Sequence, residues 1–311
     1  MLKNYSFVFK TIGFALLVIL LYNIDWQLVL INFKKLSAST VLISLIILWI
    51  GYFLKSLRWK LISHSYKIYI STFFSFKVFC IGMFMGNITP GKLGDFGRLL
   101  YLKPYLTNKK VGWISLIVDR LFDLFFLFVF VFIAIVFYYY HFNVFHFSIS
   151  AQSIVLISLF LIVFFLLVYT LRNRLKNFIL PWLSIVRENK LKGLVLCYAS
   201  LSTVISMLFI YGVINYIAYS MHIEIDHIGL FLGSFVIGVL SLLPISILGI
   251  GVRETSLVMV FYLYNLPEEK AVALSIVVFF IQILSLFPGL IWFYQAPIKL
   301  TELKKVTIED W

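Results

Sequence analysis

Residues 73–100 read FFSFKVFCIGMFMGNITPGKLGDFGRLL, a hydrophobic run that polar, charged, proline and glycine residues interrupt at its centre. A helix that crosses a bilayer needs about 20 consecutive apolar residues. Irregular backbone inside a membrane is tolerated only where protein or a water-filled cavity satisfies its polar groups. The interrupting residues are Asn87, Pro90, Gly91, Gly94, Asp95 and Arg98. We therefore expect a broken membrane segment that borders a polar cavity.

A second hydrophobic run, residues 228–264, is interrupted in a similar way. Its interrupting residues are Pro244, Gly249, Gly251, Arg253 and Glu254. The proline is expected to end one helix because it removes a backbone donor, and the glycines supply flexible backbone. The adjacent arginine and glutamate are then expected to open the next helix.

The composition places both runs in a polytopic membrane protein. Of the 311 residues, 62% are hydrophobic and 13% are charged, whereas soluble domains have about 45–50% apolar and about 25% charged residues. This excess excludes secreted, cytosolic and disordered proteins. The formal net charge is +13, but the basic residues lie between apolar runs, as in cytoplasmic loops beside anionic lipid, so no nucleic-acid partner is expected.

The apolar runs predict an all-α integral membrane protein. We expect a polytopic helical bundle with about six full spans and two oppositely oriented re-entrant helical hairpins, at about 71–102 and 228–266. Residues 1–311 then form a single domain without a soluble catalytic domain. The predicted spans are 7–22, 40–54, 112–140, 153–170, 194–220 and 271–294.

The orientation follows from the excess of lysine and arginine in cytoplasmic loops. Lys55, Arg58, Lys60 and Lys67 follow the second predicted span and are assigned to such a loop. Both termini are then cytoplasmic, and the protein lies in the cell membrane. Both ends of the first interrupted run fall inside and both ends of the second fall outside, which predicts hairpins that enter from opposite sides. The alternative is that one run crosses and a nearby loop violates the charge rule.

Ionisable residues inside the predicted membrane segments form a balanced set of four cations and four anions. A lone charge at the bilayer centre costs at least about 2.5–3.5 kcal/mol, so these groups must pair or face water. Asp119 and Asp123 lie four residues apart, on one helix face. The set consists of Lys92, Asp95, Arg98, Asp119, Arg120, Asp123, Arg253 and Glu254. We expect a substrate-binding cluster, and a purely architectural ion-pair network is the alternative.

The stretch after Thr89 has the pattern of a helix start. Thr89 stands at an N-cap position and Pro90 at the first helical position. Lys92, Asp95 and Arg98 then recur every third residue along one side. The free amide groups of such a helix favour a phosphate or another anion. Residues 86–92 also fit GxxxxGK, but a nucleotide-binding loop is excluded because residue 93 is leucine and no strand precedes it.

Neither a catalytic residue nor a metal or cofactor site is predicted. The two cysteines, Cys80 and Cys197, are far apart in apolar runs. No Cys/His spacing typical of zinc ligands occurs.

Three motifs occur in order along the chain. They are Asn87-x-x-Pro90-Gly91-x-x-Gly94-Asp95-x-x-Arg98, Asp119-Arg120-x-x-Asp123-Leu124 and Gly249-x-Gly251-x-Arg253-Glu254. With the hydropathy pattern over roughly 5–295, the chain resembles the flippase-like family of the lysylphosphatidylglycerol synthase transmembrane region, the multiple peptide resistance factor of bacteria. That family usually has glutamate at the positions of Asp95 and Asp119 and glycine at that of Leu248.

The resemblance implies a lipid-translocating module with two opposed re-entrant elements. In the full synthase this module moves an aminoacylated phospholipid made by a C-terminal domain, for which we expect no room in this chain. Relatives of the stand-alone kind are often linked to polyprenyl-phosphate or glycolipid pathways, so the cargo does not follow from the fold.

We therefore expect a transporter that flips an anionic or aminoacylated phospholipid, or a polyprenyl-phosphate-linked lipid, between leaflets. Lys92, Arg98 and Arg253 would line the headgroup cavity, and the embedded carboxylates would hold these cations in place. The alternatives are an integral membrane lipid-linked glycosyl or aminoacyl transferase and a non-transporting scaffold of an envelope-synthesis complex. The expected partners are membrane lipids, and a lipid-modifying synthase or a second copy of the chain is left open.

Overall fold

The computed structural model describes residues 36–106, 108–142, 191–242 and 251–295, together with Gln27, Ile31 and Asn189. Within these ranges the protein is helical and contains no strand. Short 3₁₀ helices cover Pro90–Gly97 and Lys103–Tyr105. The α-helices are α1 (Ala38–Ser65), α2 (Thr72–Ile88), α3 (Arg98–Leu102), α4 (Lys109–Phe142), α5 (Gly193–Ser220), α6 (His227–Leu240), α7 (Val252–Leu263), α8 (Glu268–Ser285) and α9 (Phe287–Gln295).

Four stretches of helix are long and apolar enough to cross a membrane. They are Ala38–Ser65, Lys110–Phe142, Gly193–Ser220 and Glu268–Gln295. Each coincides with one of the predicted spans. The predicted spans 7–22 and 153–170 lie outside the described residues.

The first of these helices corrects the sequence-based boundary. The prediction ended the span at residue 54 and assigned Lys55 and Arg58 to a loop, but α1 continues to Ser65 and buries Arg58 completely. The physical reason is pairing. Both cations lie on one face of the helix and meet carboxylates of α4, which removes the cost of placing them inside the protein.

The first interrupted run folds back on itself after α2. A Cβ at Gly94 would overlap the carbonyl oxygen of Met85, and one at Gly82 would lie 2.6 Å from Cγ of Arg98. These two contacts pair later residues with earlier ones, so the returning chain is antiparallel to α2. The turn is closed by Thr89 Oγ1, which accepts a hydrogen bond from the Gly94 amide at 2.6 Å.

The second interrupted run supplies another antiparallel pair, α6 and α7. Gly229 lies against Tyr264, and a Cβ at Gly233 would lie 3.1 Å from Cγ2 of Val260. The predicted breaks Pro244 and Gly249 lie outside the described residues. Gly251 directly precedes α7 with a φ of 85°, which favours glycine.

The two antiparallel pairs begin at opposite ends of the bundle. Ser202, near the start of α5, donates to the Leu54 carbonyl at 2.8 Å, and Gly51 lies against Ile210. These contacts make α1 and α5 antiparallel. Because α2 follows the end of α1 and α6 follows the end of α5, the pairs point in opposite directions.

The outer faces of the long helices are apolar. On α4, for example, Phe125, Phe128 and Phe132 are 63%, 56% and 68% exposed. Soluble monomers rarely expose contiguous apolar surface of this extent. Such a surface fits contact with lipid acyl chains.

Candidate functional site

Seven ionisable side chains from α1, the first 3₁₀ helix, α3 and α4 meet in one network, which we call the charge cluster. It contains four cations and three carboxylates, joined by ion pairs along its whole length. Its members are Lys55, Arg58, Asp95, Arg98, Asp119, Arg120 and Asp123.

Arg58 forms the centre of one half of the charge cluster. Its Nε donates to Oδ1 of Asp119 at 2.8 Å, and its Nη1 donates to Oδ1 of Asp123 at 2.7 Å and to Oγ1 of Thr203 at 2.8 Å. Lys55 Nζ lies 2.9 Å from the same Asp123 oxygen. The i,i+3 spacing of the cations and the i,i+4 spacing of the carboxylates place these groups on facing sides of α1 and α4.

Asp95 connects the other half of the charge cluster to the first antiparallel pair. Its Oδ2 accepts from Nη2 of Arg98 at 2.5 Å and also from Arg120. Arg98 Nη1 reaches Oδ2 of Asp119 at 3.4 Å. The guanidinium of Arg98 is fully buried and lies 4.9 Å from the ring centroid of Trp59, so it is enclosed behind Asp95.

A cavity of about 190 Å³ lies beside the charge cluster, between the two antiparallel pairs. This space is large enough for several water molecules. Met83, Gly86 and Asn87 line it from the first pair, and Gly238 and Ser241 line it from the second. Described residues of both pairs therefore border the same space.

Among the described residues that line the cavity, the charged groups are mostly cations. Lys55, Arg120 and Arg253 line it, and Asp95 is the one carboxylate among the described lining residues. Their formal charges sum to +2. Neutral hydrogen-bonding groups complete the polar lining: Tyr52, Asn87, Tyr211, Ser234, Ser241 and Gln282.

The start of α7 positions Arg253 at the cavity. Glu254 Oε2 accepts from the Gly251 amide at 2.6 Å, and Oε1 accepts from Oγ of Ser275 at 2.8 Å. This carboxylate therefore caps its own helix. Arg253 donates from Nη2 to Oε1 of Gln282 at 2.6 Å, which holds its guanidinium at the cavity wall.

The structure brings most of the predicted site residues together, but in three different positions. Asn87, Asp95, Arg120 and Arg253 line the cavity. Arg98, Asp119 and Asp123 belong to the charge cluster behind that lining, and Glu254 is the α7 cap. The side chain of Lys92 lies outside the described part of the chain.

The predicted helix start at Pro90 is present, with two differences from the expectation. The helix is 3₁₀ rather than α, so Asp95 and Arg98 are eclipsed one turn apart and form an ion pair. Thr89 has the extended backbone of an N-cap residue, but its hydroxyl bonds the Gly94 amide, five residues along, instead of an amide of the first turn. This longer bond fits the chain reversal.

Two residues of the candidate site escaped the sequence analysis. Lys55 lines the cavity and Arg58 holds two carboxylates, yet both were counted as loop cations. The i,i+3 spacing of Lys55 and Arg58 is the signal that could have identified them. Two carboxylates on one helix face, Asp119 and Asp123, require cations from another helix.

Among the described residues, no three His, Cys, Asp or Glu side chains are grouped so that they could hold a metal ion.

Comparison with known proteins identifies the family to which this architecture belongs. A search of curated proteins and a search of solved structures each gave no match. The model of the family described as "Lysylphosphatidylglycerol synthase TM region" matches residues 7–289, which include both antiparallel pairs and the charge cluster. The chain is therefore a member of the lysylphosphatidylglycerol synthase TM region family.

Proposed function

We propose that this membrane protein translocates a lipid with an anionic headgroup between leaflets, and that the headgroup passes through the cavity while the acyl or prenyl chains stay in the bilayer. The observation that carries the proposal is the lining of the cavity, where three cations and one carboxylate face a space of about 190 Å³. A phosphate group, on a phospholipid or a polyprenyl lipid, complements this excess positive charge.

The lengths of the antiparallel helices favour re-entrant hairpins. At 1.5 Å per residue, α2 with 17 residues and α6 with 14 residues are about 25 and 21 Å long. Both are shorter than the hydrocarbon core of about 30 Å. Since the pairs start at opposite ends of the bundle, one hairpin would enter from each leaflet, as in transporters with opposed broken helices.

The positive-inside rule gives these hairpins a direction. Lys60, Lys110 and Lys192 lie at the end of α1 and the starts of α4 and α5, which supports a cytoplasmic position for this end of the bundle. The first hairpin then opens from the cytoplasmic side and the second from the external side of the cell membrane. Alternate opening of the two hairpins would expose the same cationic lining to each leaflet in turn.

The test is leaflet transfer by purified protein in liposomes that contain acyl-labelled fluorescent phosphatidylglycerol. Dithionite quenches label in the outer leaflet, so transfer makes the inner-leaflet label quenchable. We expect the parent protein to exceed protein-free vesicles. Arg253→Gln should slow transfer about tenfold, because a hydrogen bond to a charged group contributes about 1.5–3 kcal/mol.

Lys270→Gln is the matched control, since it removes a cation near the start of α8 that does not line the cavity. It should transfer at the parent rate. Transfer by the parent at the rate of empty vesicles, or equal rates for the parent and Arg253→Gln, contradicts the proposal. Product formation from a soluble donor without leaflet transfer would indicate a transferase, and dependence on a co-purified synthase would indicate a scaffold.

A further inference from the structure

Asp95 differs from the other embedded carboxylates in its hydrogen bonding. Both oxygens of Glu254 accept hydrogen bonds, and both oxygens of Asp119 and of Asp123 contact cations. Asp95 instead directs two arginines to Oδ2, and its Oδ1 is buried without a hydrogen-bond partner among the described residues. A buried acceptor without a donor is costly, which makes Oδ1 a place where a proton can bind.

This oxygen is buried where Asp95 packs against α2, beside the cavity. Asp95 and Gly82 both line the cavity, and a Cβ at Gly82 would lie 2.6 Å from Oδ1. Any larger residue at position 82 would therefore collide with the oxygen. Because residue 82 has no side chain, the α2 backbone packs directly against Asp95 at the edge of the cavity.

The charged groups around Asp95 come from three directions. Arg98 and Arg120 bind its Oδ2, and Lys55 of α1 lines the same cavity. Asp119 and Asp123 of α4 share these cations, since Arg98 also contacts Asp119 and both Arg120 and Lys55 contact Asp123. On the α2 side, Gly82 faces the carboxylate and supplies no charge. Arginine side chains therefore supply both hydrogen bonds that the Asp95 carboxylate accepts.

We propose that Asp95 is a proton-coupling site, which binds one proton on Oδ1 when a phosphate-bearing headgroup occupies the cavity. The inference rests on the proposed function. The arriving phosphate has the same sign of charge as Asp95, and both anions share Arg120. Arg120 is the most exposed member of the charge cluster, with 27% of its side chain accessible, so it can turn from Asp95 to the phosphate.

The charge and proton balance of this step is simple. One proton moves from cavity water to Oδ1, the carboxylate becomes a neutral carboxyl, and Oδ2 still accepts from Arg98. No covalent bond of the lipid changes. One negative charge and one proton enter together, so a monoanionic headgroup crosses without net charge movement, and a pH gradient can drive it. Release of the headgroup at the other leaflet returns Arg120 to Asp95 and expels the proton.

Linkage fixes the sign of the pH dependence. Because the ligand-bound state holds the additional proton, binding takes up a proton from solution. Affinity for the lipid therefore rises as the pH falls, by up to about tenfold per pH unit for one coupled proton. At a pH above the range in which the bound state is protonated, this dependence disappears.

The test is calorimetric titration of the full chain in lipid nanodiscs with short-chain phosphatidylglycerol, at about pH 6, in MES and in imidazole. The two buffers have different ionisation enthalpies, so the difference between the observed binding enthalpies gives the number of protons taken up. We expect uptake approaching about one proton per lipid for the parent. Asp95→Asn should bind with uptake near zero, Asp95→Glu should restore uptake, and Glu224→Gln, which removes an exposed carboxylate, should behave as the parent.

The titrations distinguish failure of the coupling proposal from failure of the proposed function. Binding of the lipid without proton uptake overturns the coupling proposal and leaves the proposed function intact. No binding of phosphatidylglycerol in either buffer contradicts both. Uptake by Asp95→Asn equal to that of the parent would assign the proton to another group and would also overturn the proposal.

Discussion

Arg58→Met is expected to lower the free energy of unfolding by about 3–5 kcal/mol, because removal of one partner from a buried ion pair leaves an uncompensated charge. Arg58 is completely buried and donates to Asp119, Asp123 and Thr203. Without it, the fully buried Asp119 retains Arg98 at 3.4 Å. Methionine fills much of the same volume, so the loss of stability results from removal of the charge and not from a large cavity.

The measurement is the midpoint of thermal unfolding in detergent, where we expect a decrease of several degrees or more. The double variant Arg58→Met/Asp119→Leu should recover part of the loss, since an apolar pair can replace a buried ion pair at little cost. Lys60→Met, on the same helix at a half-buried position, should change the midpoint little. An Arg58→Met midpoint equal to that of the parent would contradict the structural role of the charge cluster.

Ser241→Trp is expected to reduce lipid transfer to the level of protein-free vesicles. Ser241 lines the cavity at the end of α6, and the indole ring would occupy the space between the two antiparallel pairs. No charge changes, so this variant separates the need for an open cavity from the need for cations. The measurement is the dithionite assay with fluorescent phosphatidylglycerol.

Ser39→Trp provides the control for the bulk of the new side chain. Ser39 is exposed at the start of α1 and does not line the cavity. It should transfer at the parent rate. If Ser241→Trp also transfers at that rate while its unfolding midpoint is unchanged, the headgroup does not pass through this cavity.

The sequence predicts the elements of this fold well where hydrophobicity alone decides them. The long apolar runs correspond to α4, α5 and the α8–α9 stretch within a few residues. Pro90 does begin a helix, because its fixed φ and missing donor suit a first position. Asp119 and Asp123 do share a face toward one partner, as their spacing requires.

The sequence does not predict whether a residue is buried when its partner lies far away along the chain. Arg58 has the pattern of a loop cation after an apolar run, and only the carboxylates that lie 61 and 65 positions later bury it. The same limit applies to Arg98, which was expected at the cavity surface. Aromatic rings and Asp95 enclose it instead, and no local pattern encodes that enclosure.

The contacts of Asp95 include one that the sequence predicts and one that it does not. Its i,i+3 pairing with Arg98 follows from the spacing, and the 3₁₀ geometry strengthens it. The close approach of Gly82, which brings the α2 backbone against Oδ1, depends on how α2 and the returning chain pack. Tertiary packing of this kind is not readable from one segment alone.

Cysteine cross-linking in membranes tests most directly whether the two hairpins meet at one cavity. With Cys80 and Cys197 replaced by alanine, Asn87→Cys and Ser241→Cys should be joined by a short bifunctional thiol reagent, since both positions line the same space. Asn87→Cys with Tyr69→Cys should not react, because α2 separates those positions by about 25 Å. Efficient joining of the first pair alone is the predicted result, and joining of neither pair, with both cysteines of the first pair reactive to a monofunctional reagent, would contradict a shared cavity.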